Sequence, residues 1–168
     1  MAREITVDYK PTPRQWIFHT TKANTVLYGG GAGGGKSFCI VMDAYMRALR
    51  TPGFTGVIVR RTYPELEQND IAIAQKEYSR ELCKYNSTRH EYTFTNGSKI
   101  IFRHCNSAAD IYTFQGLQLD AVYFDELTQF TYEMYDYITT RARTVKGKSI
   151  FPIVRAGSNP GGLGHGWG

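Results

Sequence analysis

The chain has 168 residues, 42% of them hydrophobic and 21% charged, and a formal net charge of +5. That is one domain's worth of sequence with enough apolar side chains for a core. No apolar run approaches the ~18 residues that span a bilayer, and the opening "MAREITVDYKPTPRQW" lacks the apolar stretch of a secretion signal. A cytosolic protein with no membrane contact is expected. Cys39, Cys83 and Cys105 are scattered and form no C-x-x-C pair, which argues for reduced thiols packed as small apolar residues. Basic and acidic residues balance up to Asp136. The whole surplus lies in Arg141, Arg143, Lys146, Lys148 and Arg155, a segment able to meet a phosphate backbone or simply to solvate a helix end and loop.

In chain order, "NTVLYGG" (24–30) is a short apolar run ending in glycine and predicts a buried strand. "KSFCIVMDAYMRALR" (36–50) has apolar residues at helical spacing and basic residues before Pro52-Gly53, so a helix with a clear stop is expected. "GVIVRR" (56–61) predicts a second strand. Thr62 and Glu65 then have capping-box spacing with Pro64 in the first turn, and a helix through about Leu82 should follow. "EYTFTNGSKIIFRHC" (91–105) reads as a β-hairpin around Asn96-Gly97, the pair favoured in type I′ turns. "LDAVYFDE" (119–126) predicts a buried strand ending in two acids, "TYEMYDYITTRART" (131–144) a tyrosine-rich helix, and "SIFPIVRAGSNPGG" (149–162) a strand running into a turn. Strands alternating with helices imply an α/β fold with a mainly parallel sheet, in one domain with the hairpin inserted. The closing "GSNPGGLGHGWG" is too glycine-rich to add a packed element. The sheet is therefore expected to be short of strands, as in a chain cut after a functional turn.

Three motifs carry chemistry. Gly30-Gly31-Ala32-Gly33-Gly34-Gly35-Lys36-Ser37 fits G-x-x-x-x-G-K-[ST], placed between a strand and a helix as that motif requires. Glycines let backbone N–H groups wrap a polyphosphate, and the helix adds its unpaired N–H groups. Lys36 has the reach for the β and γ phosphates, and the Ser37 hydroxyl suits Mg²⁺. A flexible linker would not sit between two apolar elements. Second, Asp125 and Glu126 end a buried strand, at the sheet edge where open α/β folds bind ligands. Asp125 is placed for the metal's water shell and Glu126 for activating an attacking water, which points to hydrolysis. The bland alternative is a surface acidic pair. Third, Asn159 in "AGSNPGG" has the chemistry to sense a γ-phosphate, although Asn-Pro and Pro-Gly also make a plain turn.

"YGGGAGGGKS", "GVIVRRTYPEL", "FQGLQLDAVYFDELTQF" and "GSNPGGLGHGW", in this order, resemble the ATPase domain of the large terminase subunit, the DNA-packaging motor of tailed phages. The likeness covers essentially the whole chain, and "RRTYPEL" with "SNPGG" discriminates best. The resemblance implies an additional-strand P-loop ATPase fold and ATP hydrolysis, with Mg²⁺, coupled to translocation of double-stranded DNA. It implies that Pro13 and Gln15 match the adenine-contacting position. It further implies phosphate and magnesium roles for Lys36 and Ser37, metal-shell and catalytic roles for Asp125 and Glu126, and coupling roles for Ser158 and Asn159. It also implies a working ring at the procapsid portal in the host cytoplasm, with portal protein and small terminase subunit as partners. Where some members have an arginine serving the neighbouring subunit's ATP, this chain has Gln115. The arginine finger is therefore sought among Arg60, Arg61, Arg141 and Arg143. The family continues into a nuclease domain, whose acids are absent from this sequence. Two rival readings stay open: a helicase- or recombinase-type ATPase, and a domain that binds nucleotide but turns it over weakly.

Overall fold

The computed structural model describes residues 7–29, 35–142 and 152–158. Helix α1 (Pro13–Thr20) opens with a capping box, in which Thr12 accepts from Gln15 N–H and Gln15 Oε1 accepts from Thr12 N–H, with Pro13 at the first position. β1 (Thr25–Tyr28) follows, then α2 (Lys36–Arg50) and β2 (Thr55–Arg60). A continuous helical stretch comes next: α3 (Tyr63–Glu65), a π-helical turn (Leu66–Ile71) and α4 (Ala72–Glu77). β3 (Cys83–Asn86), β4 (Glu91–Phe94) and β5 (Lys99–His104) form an antiparallel meander. A 3₁₀ segment (Ala108–Phe114) leads to β6 (Ala121–Asp125), α5 (Tyr132–Thr139) and β7 (Ile153–Gly157).

The strands form one sheet in the order β1-β7-β6-β2-β5-β4-β3, and the five from β1 to β5 run parallel. β7 lies between the strand that leads into the glycine loop and the strand that ends in the acids. That interposed strand is the additional strand of this class of P-loop fold. Two apolar cores sandwich the sheet. Ile58, Phe102 and Tyr123 face the core shared with α2 and α4, whereas Val57, Ile101, Val122 and Phe124 face the core shared with the 3₁₀ segment and α5. Alternate residues of one strand thus enter opposite cores, which is why the central strands read as unbroken apolar runs. The register is decisive for function. Tyr28, Gly157 and Asp125 pair in one row at the carboxyl edge, and Arg60 follows Val59, the partner of Phe124.

Several expectations need correction. The strand entering the glycine loop is an edge strand with Leu27 46% exposed, because its pairing with β7 covers one side only. Thr62 makes no capping hydrogen bond; Glu65 lies instead 3.5 Å from Arg60 Nε. The helix stops at Glu77 and not near Leu82, because Tyr78 stacks on Tyr45 at 4.3 Å and donates to the Val41 carbonyl, pulling the chain into extended conformation. β3 then occupies residues expected to be helix or loop. In the hairpin, Gly97 N–H donates to Phe94 O and, of residues 95–97, Gly97 alone is left-handed (φ +87°). That is a type I turn closed by a glycine bulge, since type I′ needs two left-handed residues. α5 is shorter than expected, ending at Thr139, and the expected turn after β7 lies outside the described residues. The three cysteines are buried and reduced.

Candidate functional site

The site assembles where α2 begins and β2, β6 and β7 end. Gly35 caps α2 in the left-handed conformation (φ +66°, ψ 28°), which favours glycine, and a Cβ there would lie 3.0 Å from Gln15 Nε2. Gln15 is buried. Its carboxamide caps α1 and donates to Gly35 O at 3.4 Å, tying the segment upstream of the sheet to the end of the glycine loop. Lys36 is the first residue of α2 and is 7% exposed. The helix start packs so closely on β7 that a Cβ on Gly157 would come 3.1 Å from Ile40 Cδ1 and 3.3 Å from Lys36 Cβ. Gly30, Gly31, Ala32, Gly33 and Gly34 lie outside the described residues, as do Asn159 and Arg143.

The Ser37 hydroxyl donates to Asp125 Oδ2 at 2.6 Å, across a sequence separation of 88 residues. The serine that follows the glycine loop and the acidic strand therefore meet in space. Asp125 is fully buried and, among the described residues, its Oδ1 has no hydrogen-bond partner. An open carboxylate oxygen beside a serine hydroxyl is a donor set that fits a hydrated magnesium ion. Glu126 follows in the left-handed region (φ 58°, ψ 58°), a strained conformation for a residue with a Cβ, and this kink ends the strand at the sheet edge. Burial, and next the Asp125 charge, push the Glu126 carboxyl above the ordinary glutamate range, with Arg60 and Lys36 opposing. A carboxylate with a raised pKa is the better proton acceptor.

The four arginines considered as fingers part company. Arg60 Nη1 donates to Asp125 Oδ2 at 2.7 Å and lies 3.4 Å from Asp70 Oδ2. It is engaged inside its own site and only 9% exposed. Arg61 donates to the backbone carbonyls of Gln129 and Asn106, bracing the turn after Glu126. Arg141 stacks on the Tyr137 ring, and its carbonyl accepts from Leu119 N–H, ahead of β6 and at the opposite end of that strand from Asp125.

Two groups were missed in the sequence. Asp70, fully buried on the π-helical turn, sits against Arg60; burial and then the Asp125 charge hold its carboxyl well above the usual aspartate range. Its one sequence signal is a charge on the apolar stripe Leu66, Asp70, Ala74. The second group centres on Asp43 of α2, which accepts from Tyr123 at 2.6 Å and Arg47 at 2.8 Å, and lies 2.7 Å from His19 Nδ1. The Tyr9 hydroxyl is 2.9 Å from the other ring nitrogen of His19. This network fixes α1, α2 and β6 to one another. Ser158 closes the site from β7: its N–H donates to Tyr28 O at 3.1 Å, and its hydroxyl meets Thr128 Oγ1 at 3.1 Å. It thereby links β1 to the turn after Glu126. No group of three or more metal-ligating side chains occurs among the described residues, and no described helix is long and apolar enough to cross a membrane.

Comparison with known proteins bears on the family and the fold. The family model described as phage terminase large subunit matches residues 22–162. Among solved structures, the large terminase of a thermophilic bacteriophage superposes with a TM-score of 0.71 at 19% identity, covering 90% of this chain and 40% of that one. The same phage's terminase in complex with ADP gives 0.66 at 16% identity, covering 88% and 38%. The large terminase ATPase domain of Thermus phage P74-26 gives 0.65 at 18% identity, covering 92% and 67%. The chain thus spans well under half of the first of these proteins. No curated protein sequence matches it. With the family model covering most of its length and the fold that of terminase ATPase domains, this chain belongs to the phage terminase large subunit family.

Proposed function

We propose that the chain is the ATP-hydrolysing domain of a motor that drives double-stranded viral DNA into a procapsid. The observation that carries the reading is the 2.6 Å contact of Ser37 with Asp125, which brings the phosphate-loop helix onto the acidic strand. Lys36 at the start of α2 meets the β and γ phosphates, beside glycine-loop residues 30–35 that cradle them. Ser37 and Asp125 hold the magnesium ion, which when bound neutralises charge on the phosphates. Glu126 orients an attacking water and takes its proton. Asn159, following Ser158 at the end of β7, reports loss of the γ-phosphate along the hydrogen bonds from Ser158 to Tyr28 and Thr128. The ADP complex of a related terminase supports the choice of an adenine nucleotide.

Family membership supports DNA, the portal protein, the small terminase subunit and a homo-oligomeric ring as the working partners, and residues 1–168 as an ATPase domain. The commitment of Arg60 and Arg61 inside their own subunit supports weak turnover by the isolated chain, since a finger from a neighbour is worth ~10³-fold or more. The test is ATP turnover by the chain and by Glu126→Gln. The expected result is slow hydrolysis in the chain, lost in the variant while nucleotide binding persists. ATP-driven strand separation of a short duplex by the full-length protein would point instead to a helicase and overturn the packaging reading.

A further inference from the structure

Arg60 is bound too closely to the metal-holding carboxylate to be a bystander. Its Nη1 lies 2.7 Å from Asp125 Oδ2, the oxygen that Ser37 also contacts at 2.6 Å. A divalent cation arriving on Ser37 and Asp125 meets this guanidinium as a like charge, and in a buried site that repulsion is poorly screened. The arginine therefore needs somewhere to go. Asp70 Oδ2 is already 3.4 Å from the same Nη1, and Asp70 is fully buried on the π-helical turn Leu66–Ile71. Arg60 Nε is already ion-paired with Glu65 Oε2 at 3.5 Å, but among the described residues Asp70 Oδ1 has no hydrogen-bond partner. An unpaired buried carboxyl oxygen is costly, so a shift of the guanidinium toward Asp70 that pairs it is favoured once Asp125 turns to the ion. π turns recur at functional sites because the widened turn places a side chain that a regular helix would not.

We propose that Arg60 is a positioning residue that holds the place of the metal's charge against Asp125, and that Asp70 receives it when the divalent cation binds. The proposal rests on reading this site as one for magnesium and nucleotide. In the observed arrangement Arg60 and Ser37 both hold Asp125 Oδ2, and Oδ1 is open among the described residues. In the loaded chain, Arg60 turns to Asp70 and Asp125 is free to serve the ion's shell. The exchange predicts opposite effects for two substitutions. Asp70→Asn replaces the carboxyl group that receives Arg60 by an amide, a weaker acceptor, leaving the guanidinium to compete with the cation. Arg60→Gln removes the competitor.

The experiment is binding of a fluorescent ADP analogue to the 168-residue chain, titrated with Mg²⁺ and repeated with chelator present. Asp70→Asn should raise the Mg²⁺ concentration at half-maximal binding roughly ten-fold, the lower end of what outer-shell changes do to metal affinity, with binding in chelator unchanged. Arg60→Gln should leave that midpoint at or below the wild-type value. In the double variant the effect of Asp70→Asn should vanish, because no arginine remains to be drawn off. If Arg60→Gln does not fold, the double variant, which strands neither group as an unpaired charge, is compared directly with wild type and should need no more Mg²⁺. An unchanged midpoint in Asp70→Asn, or a raised midpoint that persists in the double variant, overturns the exchange. Binding that does not respond to Mg²⁺ would likewise overturn the exchange, whereas absence of any binding of the analogue by the wild-type chain, with Mg²⁺ or with chelator, would overturn the nucleotide-site reading itself, so the two failures are distinguishable.

Discussion

Replacing Asp43 by alanine should cost the chain a large part of its stability, and the size of the loss follows from what the carboxylate holds. Asp43 is 1% exposed, and its oxygens accept from Arg47 at 2.8 Å and from Tyr123 at 2.6 Å, with His19 Nδ1 at 2.7 Å. Burial alone would raise its pKa, but the His19 hydrogen bond, the Arg47 charge and the Tyr123 hydroxyl together hold it below the ordinary aspartate value. Asp43→Ala leaves the wholly buried Tyr123 hydroxyl without its acceptor and the Arg47 guanidinium without its partner. Breaking a buried pair in this way costs roughly 3–5 kcal/mol. At about 2–4 °C per kcal/mol for a chain of this size, Tm should fall by about 6–20 °C.

Tyr123→Phe removes one hydrogen bond to a charged group and strands no donor, so it should cost about 1.5–3 kcal/mol, and the double variant should lose less than the sum. The pH dependence has a definite sign. A depressed folded-state pKa contributes stability that is complete above the unfolded value, about 3.9, and is lost as pH falls through the lower folded value. Asp43→Ala should lack that acid-side loss. Denaturant and thermal unfolding followed by circular dichroism measure all of this. A cost below ~1 kcal/mol, less than a single ordinary hydrogen bond to charge, would refute the view that Asp43 ties α1, α2 and β6 together.

Gly157→Ala should cost about 1–3 kcal/mol, the usual range for overpacking, because its Cβ meets Ile40 Cδ1 at 3.1 Å and Lys36 Cβ at 3.3 Å. Nucleotide affinity should fall with it, since the displaced atoms belong to the start of α2; unchanged stability and affinity together would contradict the close packing. The raised Glu126 carboxyl must lose its proton to act as a base, so the acid limb of the hydrolysis rate should lie above the ordinary glutamate value of about 4.3. An acid limb at or below that value, in the rate measured against pH, would remove Glu126 from the role.

The sequence was most informative where local chemistry and packing agree. α2 was read with its observed bounds because its apolar spacing, basic last turn and Pro52-Gly53 stop all point the same way. β6 was legible because a strand buried on both faces needs no alternation. The helix after β2 was misjudged because the Tyr78–Tyr45 stack is a tertiary contact that overrides local preference. α1 had a signal that passed unread, Thr12-Pro13-x-Gln15, which is capping-box spacing with proline at the first position.

The glycine loop and the two acids could be named separately, but their meeting depends on Ser37 and Asp125 being joined across the sheet at a separation of 88 residues. The partners of Arg60 and Asp43 were illegible for the same reason. Arg60 reaches Asp125 across 65 residues and Tyr123 reaches Asp43 across 80, and no local pattern encodes such pairings. An arginine at a strand end looks like a surface charge until the neighbouring strand places a buried carboxylate beside it.

The central claim is that Lys36, Ser37 and Asp125 form one nucleotide site. The most direct test is equilibrium binding of ATP, with Mg²⁺, to the wild-type chain and to Lys36→Ala. The wild-type chain should bind and Lys36→Ala should lose binding while keeping the wild-type circular dichroism spectrum. Equal affinity in the two proteins would contradict the site.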